Sequence, residues 1–473
     1  MVPGELIRAA ARYAALAGSI AASVAAAHFA LASGAMPREA AFMAAIFVLA
    51  ALLWMTEALP LFATSLLVIG LQLILLANPG GWSGLGFESA PSPGYRAILQ
   101  GAADPVLLLF FGGFLLARAA VKEGVDRSLS ALLLKPFGER PRAALAGVMA
   151  VTALFSMFMS NTATAAMMVA LVAPMLATMP KDEPFRRALM FAVAFGATVG
   201  GMGTPIGSPP NAVAVGHLQQ AGLHVSFLEW MLVAVPLAAA VLAFAWWLLW
   251  RYFPPRAPAL RFTYAAAPVG RRGWFVVAVF AVTVLLWLSD RWHGLPASVV
   301  ALLPAIALTT SRTLNRDDLN SLQWNVLILI AGGLALGEGM SLTGLDRVIV
   351  GWLPLGEGAA LWAIAAALVV GTVLLSTFMS NTAAANLLLP IGISAAASFH
   401  DAGAIAFIAM SIALAAAMAM ALPISTPPNA IVYARNEFSV RELAKLGSMI
   451  GAAGLCLILL AMGPLQWLWG VGR

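Results

Sequence analysis

The sequence predicts an all-α polytopic membrane protein of 11 transmembrane spans, built as two inverted five-span repeats that each carry a re-entrant hairpin. Three observations support this. Hydrophobic residues make up 62% of the 473-residue chain and charged residues only 10%, with a mean hydropathy of +0.93. That is more apolar surface than a soluble core can use. Apolar runs of about 20 residues recur, each long enough to cross a bilayer as a helix. The chain also repeats itself in order at an offset of about 220 residues.

The spans fall near 13–33, 39–56, 60–77 and 103–121, then 188–206 and 228–250. The second set lies near 273–289, 295–311, 323–340, 404–423 and 443–469. The first span follows Arg8 and Arg12 and is too long for a cleaved signal core, so it reads as retained over 1–36. Two further segments, 143–175 and 359–396, are pairs of short apolar helices split at Ser160-Asn161-Thr162 and Ser380-Asn381-Thr382. They read as re-entrant hairpins. The repeats span 37–250 and 273–473, joined by a basic, proline-rich linker over 251–272.

Basic residues set the orientation. With the N-terminus in the cytoplasm, all but Arg38, Arg96, Arg291, Arg347 and Arg473 of the 26 Lys and Arg face inward. The net charge of +6 is thereby explained by topology, and no nucleic-acid partner is expected. Trp246, Trp247, Trp250, Trp467 and Trp469 sit at span ends as interfacial anchors. Cys456, the single cysteine, excludes an intrachain disulfide and reads as a buried spectator within an apolar run.

The repeat is carried by four ordered matches. Gly112-Gly113 pairs with Gly332-Gly333, Asp126-Arg127 with Asp346-Arg347, and the two Ser-Asn-Thr tips with one another. Ser208-Pro209-Pro210-Asn211 pairs with Thr426-Pro427-Pro428-Asn429. Five crossings per half is an odd number, so the halves run upside down, a pattern of secondary transporters.

The tips and the proline motifs are where chemistry is expected. Non-helical backbone at membrane depth survives only against protein or a wet cavity. The second helix of each hairpin would aim free N–H groups and a positive dipole end at its tip. Two such tips face to face suit an anion with two negative ends. The paired prolines remove donors and free upstream carbonyls, which beside Ser and Asn oxygens suit sodium. A single such motif would be read as helix packing or a kink. Both motifs occurring twice, in the same order, favour a site. Ser156 and Ser376, four residues before the tip serines, share a helical face with them.

Glu57, Asp104, Glu123 and Glu338 lie near span ends and read as interfacial or scaffold contacts. The five histidines show no metal-ligand spacing, and no cluster suits an enzyme's nucleophile and base. A sodium/proton antiporter would want a carboxylate where Asn161 and Asn381 stand.

At these tip and proline motifs the chain, from about Phe42 onward, resembles the divalent anion/sodium symporter family, carriers of dicarboxylates, citrate or sulfate. The resemblance implies a homodimer in a bacterial inner membrane, each protomer pairing a scaffold with a transport domain that moves as an elevator. It implies that Ser160, Asn161, Thr162, Ser380, Asn381 and Thr382, with Ser208 and Thr426 of the proline motifs, contact the substrate. One sodium ion would use Ser156, Ser160, Asn161 and the Gly207 backbone; the other would use Ser376, Ser380, Asn381 and the Ser425 backbone. Ser208 stands where the family commonly has Thr. The sulfate carriers' inserted soluble domain is absent, which points to a C4 dicarboxylate. A sodium-independent exchanger and a citrate or sulfate carrier are the alternatives within the family.

Overall fold

The computed structural model describes residues 3–87, 92–138, 140–256, 268–352 and 361–461, with side chains from residue 9. Much of the linker expected over 251–272, the start of the hairpin expected at 359 and the end of the last span, with Trp467 and Trp469, lie outside them. Among the described residues the fold is helical with no strand.

The first part of the chain runs through α1 (Pro3–Ser33), α2 (Arg38–Thr56), α3 (Leu61–Gln72, extended by a π-helical turn over Leu73–Ala77), α4 (Tyr95–Ala102) and α5 (Val106–Lys122). It continues with α6 (Val125–Leu134), the hairpin α7 (Pro141–Ser156) and α8 (Asn161–Ala177), then α9 (Phe185–Gly200), α10 (Pro209–Gln220) and α11 (Phe227–Tyr252). The second part holds α12 (Arg271–Leu288), α13 (Asp290–His293), α14 (Ala297–Val300), α15 (Leu302–Thr310), α16 (Arg316–Asn320), α17 (Trp324–Thr343) and α18 (Leu345–Trp352). The hairpin α19 (Leu361–Phe378) and α20 (Asn381–Ala397) follows, with α21 (Ala402–Ala416), α22 (Pro427–Tyr433) and α23 (Val440–Leu460). Eight of the described helices are long and apolar enough to cross a membrane.

Local sequence explains many of the boundaries. Ser226 and Glu229 form a reciprocal cap at the start of α11, as do Ser439 and Glu442 for α23. Ser160 and Ser380 cap α8 and α20 by accepting from Ala163 N and Ala383 N. The proline pairs do more than stop a helix. Pro209-Pro210 and Pro427-Pro428 occupy the first turns of α10 and α22, where a missing N–H costs nothing. The motifs therefore begin second half-helices that the span assignment had not anticipated.

Packing distinguishes two kinds of apolar helix. α9 and α21 are enclosed nearly all round, so their uniform hydrophobicity serves a protein core. α12 and α15 instead turn Leu285 and Ile306, each more than half exposed, outward, as lipid-facing helices do. Cys456 belongs with the second kind: it is exposed on α23, not buried as expected. In a membrane protein an apolar run is no guide to burial, because the outer face meets lipid.

The two parts interleave. A Cβ on Gly112 of α5 would stand 2.2 Å from Ala301 O, and one on Gly332 of α17 would stand 2.2 Å from Ser65 Cβ. Each half's glycine thus admits a helix of the other half at backbone contact. One end of the molecule is basic. There Arg186 Nε donates to Glu437 Oε2 at 2.9 Å, Arg187 pairs with Glu442 at 2.9 Å, and Arg142 lies 4.9 Å over the Trp246 ring. Arg118 and Lys122 of α5 both bond Asp318 in α16. Burial pushes the Asp318 carboxyl upward, but Lys122, the Asn315 N–H and Arg118 outweigh it and hold it below the ordinary carboxylate value.

Candidate functional site

The α7–α8 hairpin has both outer ends at the basic end, where Arg186 bonds the Leu176 and Met179 carbonyls at the exit of α8. Its tip reaches inward to a cavity of about 880 Å³. The α19–α20 tip reaches the same cavity. Ser160, Asn161, Thr162, Ser380, Asn381 and Thr382 all line it, together with Gly207, Ser208, Ser425 and Thr426 of the two proline loops. Residues separated by about half the chain therefore share one cavity.

Ser156 and Ser376 are the exception. Both are fully buried behind the tips and do not line the cavity. Ser156 Oγ donates to Ala197 O at 2.6 Å and lies 2.7 Å from the Asn161 carboxamide. Ser376 Oγ lies 3.0 Å from Ala416 O and 2.7 Å from the Asn381 carboxamide. Each hydroxyl has one proton and cannot donate to both neighbours.

Under the first tip this leaves an oxygen-rich spot. The Asn161 carboxamide end facing inward stands 2.7 Å from Ser156 Oγ, 3.3 Å from Ala197 O and 3.1 Å from Gly207 O. With Nδ2 inward, the amide donates to these oxygens. With Oδ1 inward, the Ser156 hydroxyl can donate to it at 2.7 Å, which leaves the Ala197 and Gly207 carbonyls facing the carboxamide oxygen as a set that a cation would satisfy. The residues present therefore fit an alkali ion and can also close on themselves without one. Gly207 makes the approach possible, since a Cβ there would stand 2.5 Å from Gly201 O.

The proline loops are held in place by their own asparagines. Asn211 Nδ2 donates to Gly201 O at 2.9 Å and Thr204 O at 2.8 Å. Asn429 Nδ2 does the same to Met420 O at 2.9 Å and Leu422 O at 3.0 Å. These carbonyls, expected to be free for a cation, are thus satisfied by amide donors. Thr204 Oγ1 donates to Met157 O and Ser425 Oγ to Thr377 O at 3.1 Å, tying each loop to its neighbouring hairpin.

The cavity has further walls that carried no motif. Phe110 and Phe114 of α5, Gln323 and Asn325 at the start of α17, and Glu57 at the end of α2 all line it. Gln323 Nε2 donates to Ser160 Oγ at 3.2 Å. Glu57, read from sequence as a scaffold contact, adopts a left-handed backbone (φ 49°) after α2 and is the only ionisable residue among the described lining. No Lys or Arg is among the described residues lining the space, and the groups there that could attract an anion are N–H groups, hydroxyls and helix N-termini.

Residues 51–413 match the citrate transporter family, CitMHS. An uncharacterized transporter of Haemophilus influenzae is 31% identical over 441 residues, covering 88% of this chain and 90% of its own length. The sodium-dependent dicarboxylate transporter SdcS of Staphylococcus saprophyticus is 30% identical over 463 residues, 89% of this chain and 85% of that protein. Among solved structures, the YdaH transporter of Alcanivorax borkumensis superposes with a TM-score of 0.57 at 16% identity, over 87% of this chain and 99% of that one. Neisseria gonorrhoeae MtrF gives 0.54 at 14% identity, over 86% and 94%. At such identities the two structures speak to the fold alone.

Proposed function

The chain belongs to the citrate transporter family, and from that premise and the geometry of its cavity we propose that it is a sodium-coupled symporter of a C4 dicarboxylate of the succinate, malate and fumarate class. The observation that carries this reading is the convergence of both Ser-Asn-Thr tips and both proline loops on one cavity with no basic side chain among its described lining. Each tip offers a serine and a threonine hydroxyl, a carboxamide and the N-terminus of a helix, worth about half a positive charge. Two such ends match two carboxylates. Relatives named sodium-dependent dicarboxylate transporters support the substrate class and the coupling ion.

In this reading Ser160, Asn161, Thr162, Ser380, Asn381 and Thr382 bind the substrate, with Ser208 and Thr426 beside them. One sodium ion is held by Ser156, Ser160, Asn161 and the Gly207 carbonyl. The second is held by Ser376, Ser380, Asn381 and the Ser425 backbone. Each ion places positive charge behind a tip whose own groups are neutral, which strengthens anion binding where water is scarce.

The halves act as inverted repeats, 37–250 and 273–473. Both hairpins with α9, α10, α21 and α22 form a transport domain that moves as an elevator against α2, α3, α5 and α17. The tying of each proline loop to its hairpin supports their moving together. A homodimer in a bacterial inner membrane, N-terminus in the cytoplasm, completes the reading and follows from the resemblance and the basic-residue bias.

Proteoliposomes test it. Vesicles without internal substrate should accumulate labelled succinate under an inward sodium gradient and not under potassium. Uptake that ignores sodium and requires internal dicarboxylate would replace the symporter with an exchanger. Preferential accumulation of citrate would move the substrate class while leaving the coupling intact.

A further inference from the structure

The two tips look alike in sequence but differ in how their serine hydroxyls are engaged. Ser160 Oγ accepts from Ala163 N at 3.3 Å and from Gln323 Nε2 at 3.2 Å. A hydroxyl oxygen has two lone pairs and one proton. Both lone pairs of Ser160 are therefore taken, and no acceptor for its proton occurs among the described residues. Ser380 Oγ accepts from Ala383 N at 3.1 Å, and no side chain fills its second lone pair among the described residues. The Ser160 hydroxyl can offer the cavity only a proton, so the part of Ser160 in the proposed sodium site falls to its backbone carbonyl. Ser380 can donate or accept.

Gln323 comes from neither motif. It precedes α17, on the wall opposite the hairpin, and is half-buried. Its bond to Ser160 stands where the main cavity meets a smaller chamber of about 200 Å³, for both residues line both spaces. We propose that Gln323 is a positioning residue for the substrate: it occupies the second lone pair of Ser160 Oγ and so holds that hydroxyl as a proton donor toward a carboxylate. The inference rests on the reading of Ser160 as a substrate contact. It also breaks the equivalence of the two tips. The Ser160 end accepts only a group with lone pairs to offer, whereas the Ser380 end tolerates a donor. The same bond joins a hairpin tip to the opposite wall, so it must open when the tip moves away.

Variants at Gln323 and Ser160 in proteoliposomes test this through a double-mutant cycle. Gln323→Met keeps the length of the side chain and the partition between the chambers while removing the donor. It should raise the succinate KM about tenfold, with the maximal rate and melting temperature nearly unchanged. Gln323→Glu presents an acceptor that captures the Ser160 proton and should raise KM further. Ser160→Ala should raise KM at least as much as Gln323→Met, and adding Gln323→Met to it should cost nothing more. A wild-type KM in Gln323→Met, or a full additional loss in the Ser160→Ala background, overturns the proposal. A wild-type KM in Ser160→Ala itself overturns the substrate assignment of that tip, a separate failure read in the same assay.

Discussion

Asn161 and Ser156 divide their work by position. Asn161 reaches the cavity, whereas Ser156 is sealed behind the tip with its hydroxyl on Ala197 O. A residue in that place affects a substrate only through what lies between them, which in the proposed reading is a sodium ion. Ser156→Ala should therefore raise the sodium concentration for half-maximal uptake about tenfold, the value of one hydrogen bond to a charged group. At saturating sodium the succinate KM should stay within about twofold of the wild type. Sodium titrations of uptake check it; a shift in succinate KM with no shift in the sodium response would show that Ser156 does not act through an ion. The same contrast explains what sequence could foresee. Ser160, Asn161, Ser380 and Asn381 announce themselves because their types and spacing occur twice. Gln323, Asn325 and Glu57 do not, since they reach the cavity from helix ends whose placement depends on how distant segments pack. Cys456 was misread for a related reason: hydropathy cannot separate a side chain facing lipid from one facing protein.

The hairpins are the elements on which the site depends, and the first is anchored where it leaves the core. Arg186 bonds carbonyls at the end of α8 and makes two bonds to the Glu437 carboxylate beyond α22, with both side chains largely buried. That one guanidinium joins the exits of a hairpin and a broken helix from different halves. Removing one partner of a buried pair leaves the other charge uncompensated, at a cost of about 3 kcal/mol or more. Arg186→Ala should lower the melting temperature in detergent by several degrees and reduce the amount of folded protein, with succinate KM little altered in what folds. Removing both charges, in Arg186→Met with Glu437→Gln, should recover much of the loss. A melting temperature unchanged in the single variant would mean that the pair is solvated and unimportant. At this scale the all-helical, apolar character was legible from hydropathy and length, whereas α19, read as a short hairpin helix, is among the eight described helices long and apolar enough to cross a membrane. The half-helices α10 and α22 were not legible, because a proline pair was read as the end of one helix and not as the start of the next.

Across the whole molecule the proposed ion and substrate sites are not independent, since Asn161 and Asn381 belong to both. Each is the first residue of a helix whose N-terminus faces the cavity and has its Oδ1 beside a buried serine, so an ion held by that carboxamide oxygen also fixes the tip that meets the carboxylate. Linkage then requires reciprocity: whatever factor sodium contributes to succinate affinity, succinate must contribute to sodium affinity. For such a shared residue a factor between about 5 and 150 is expected, within the usual range of coupling energies. Calorimetry or thermal shift on the purified protein can measure both sides. Succinate should raise the melting temperature strongly in sodium and little in potassium, because a ligand stabilises only the state that it binds. The half-saturating sodium concentration should fall with succinate present by the factor that sodium lowers the succinate Kd. Equal succinate stabilisation in both salts would remove sodium from the site and leave the helix ends and hydroxyls to hold the dianion alone. The oxygens beneath Asn161 would then be met by its own Nδ2, the closed arrangement that the tip can already form without an ion.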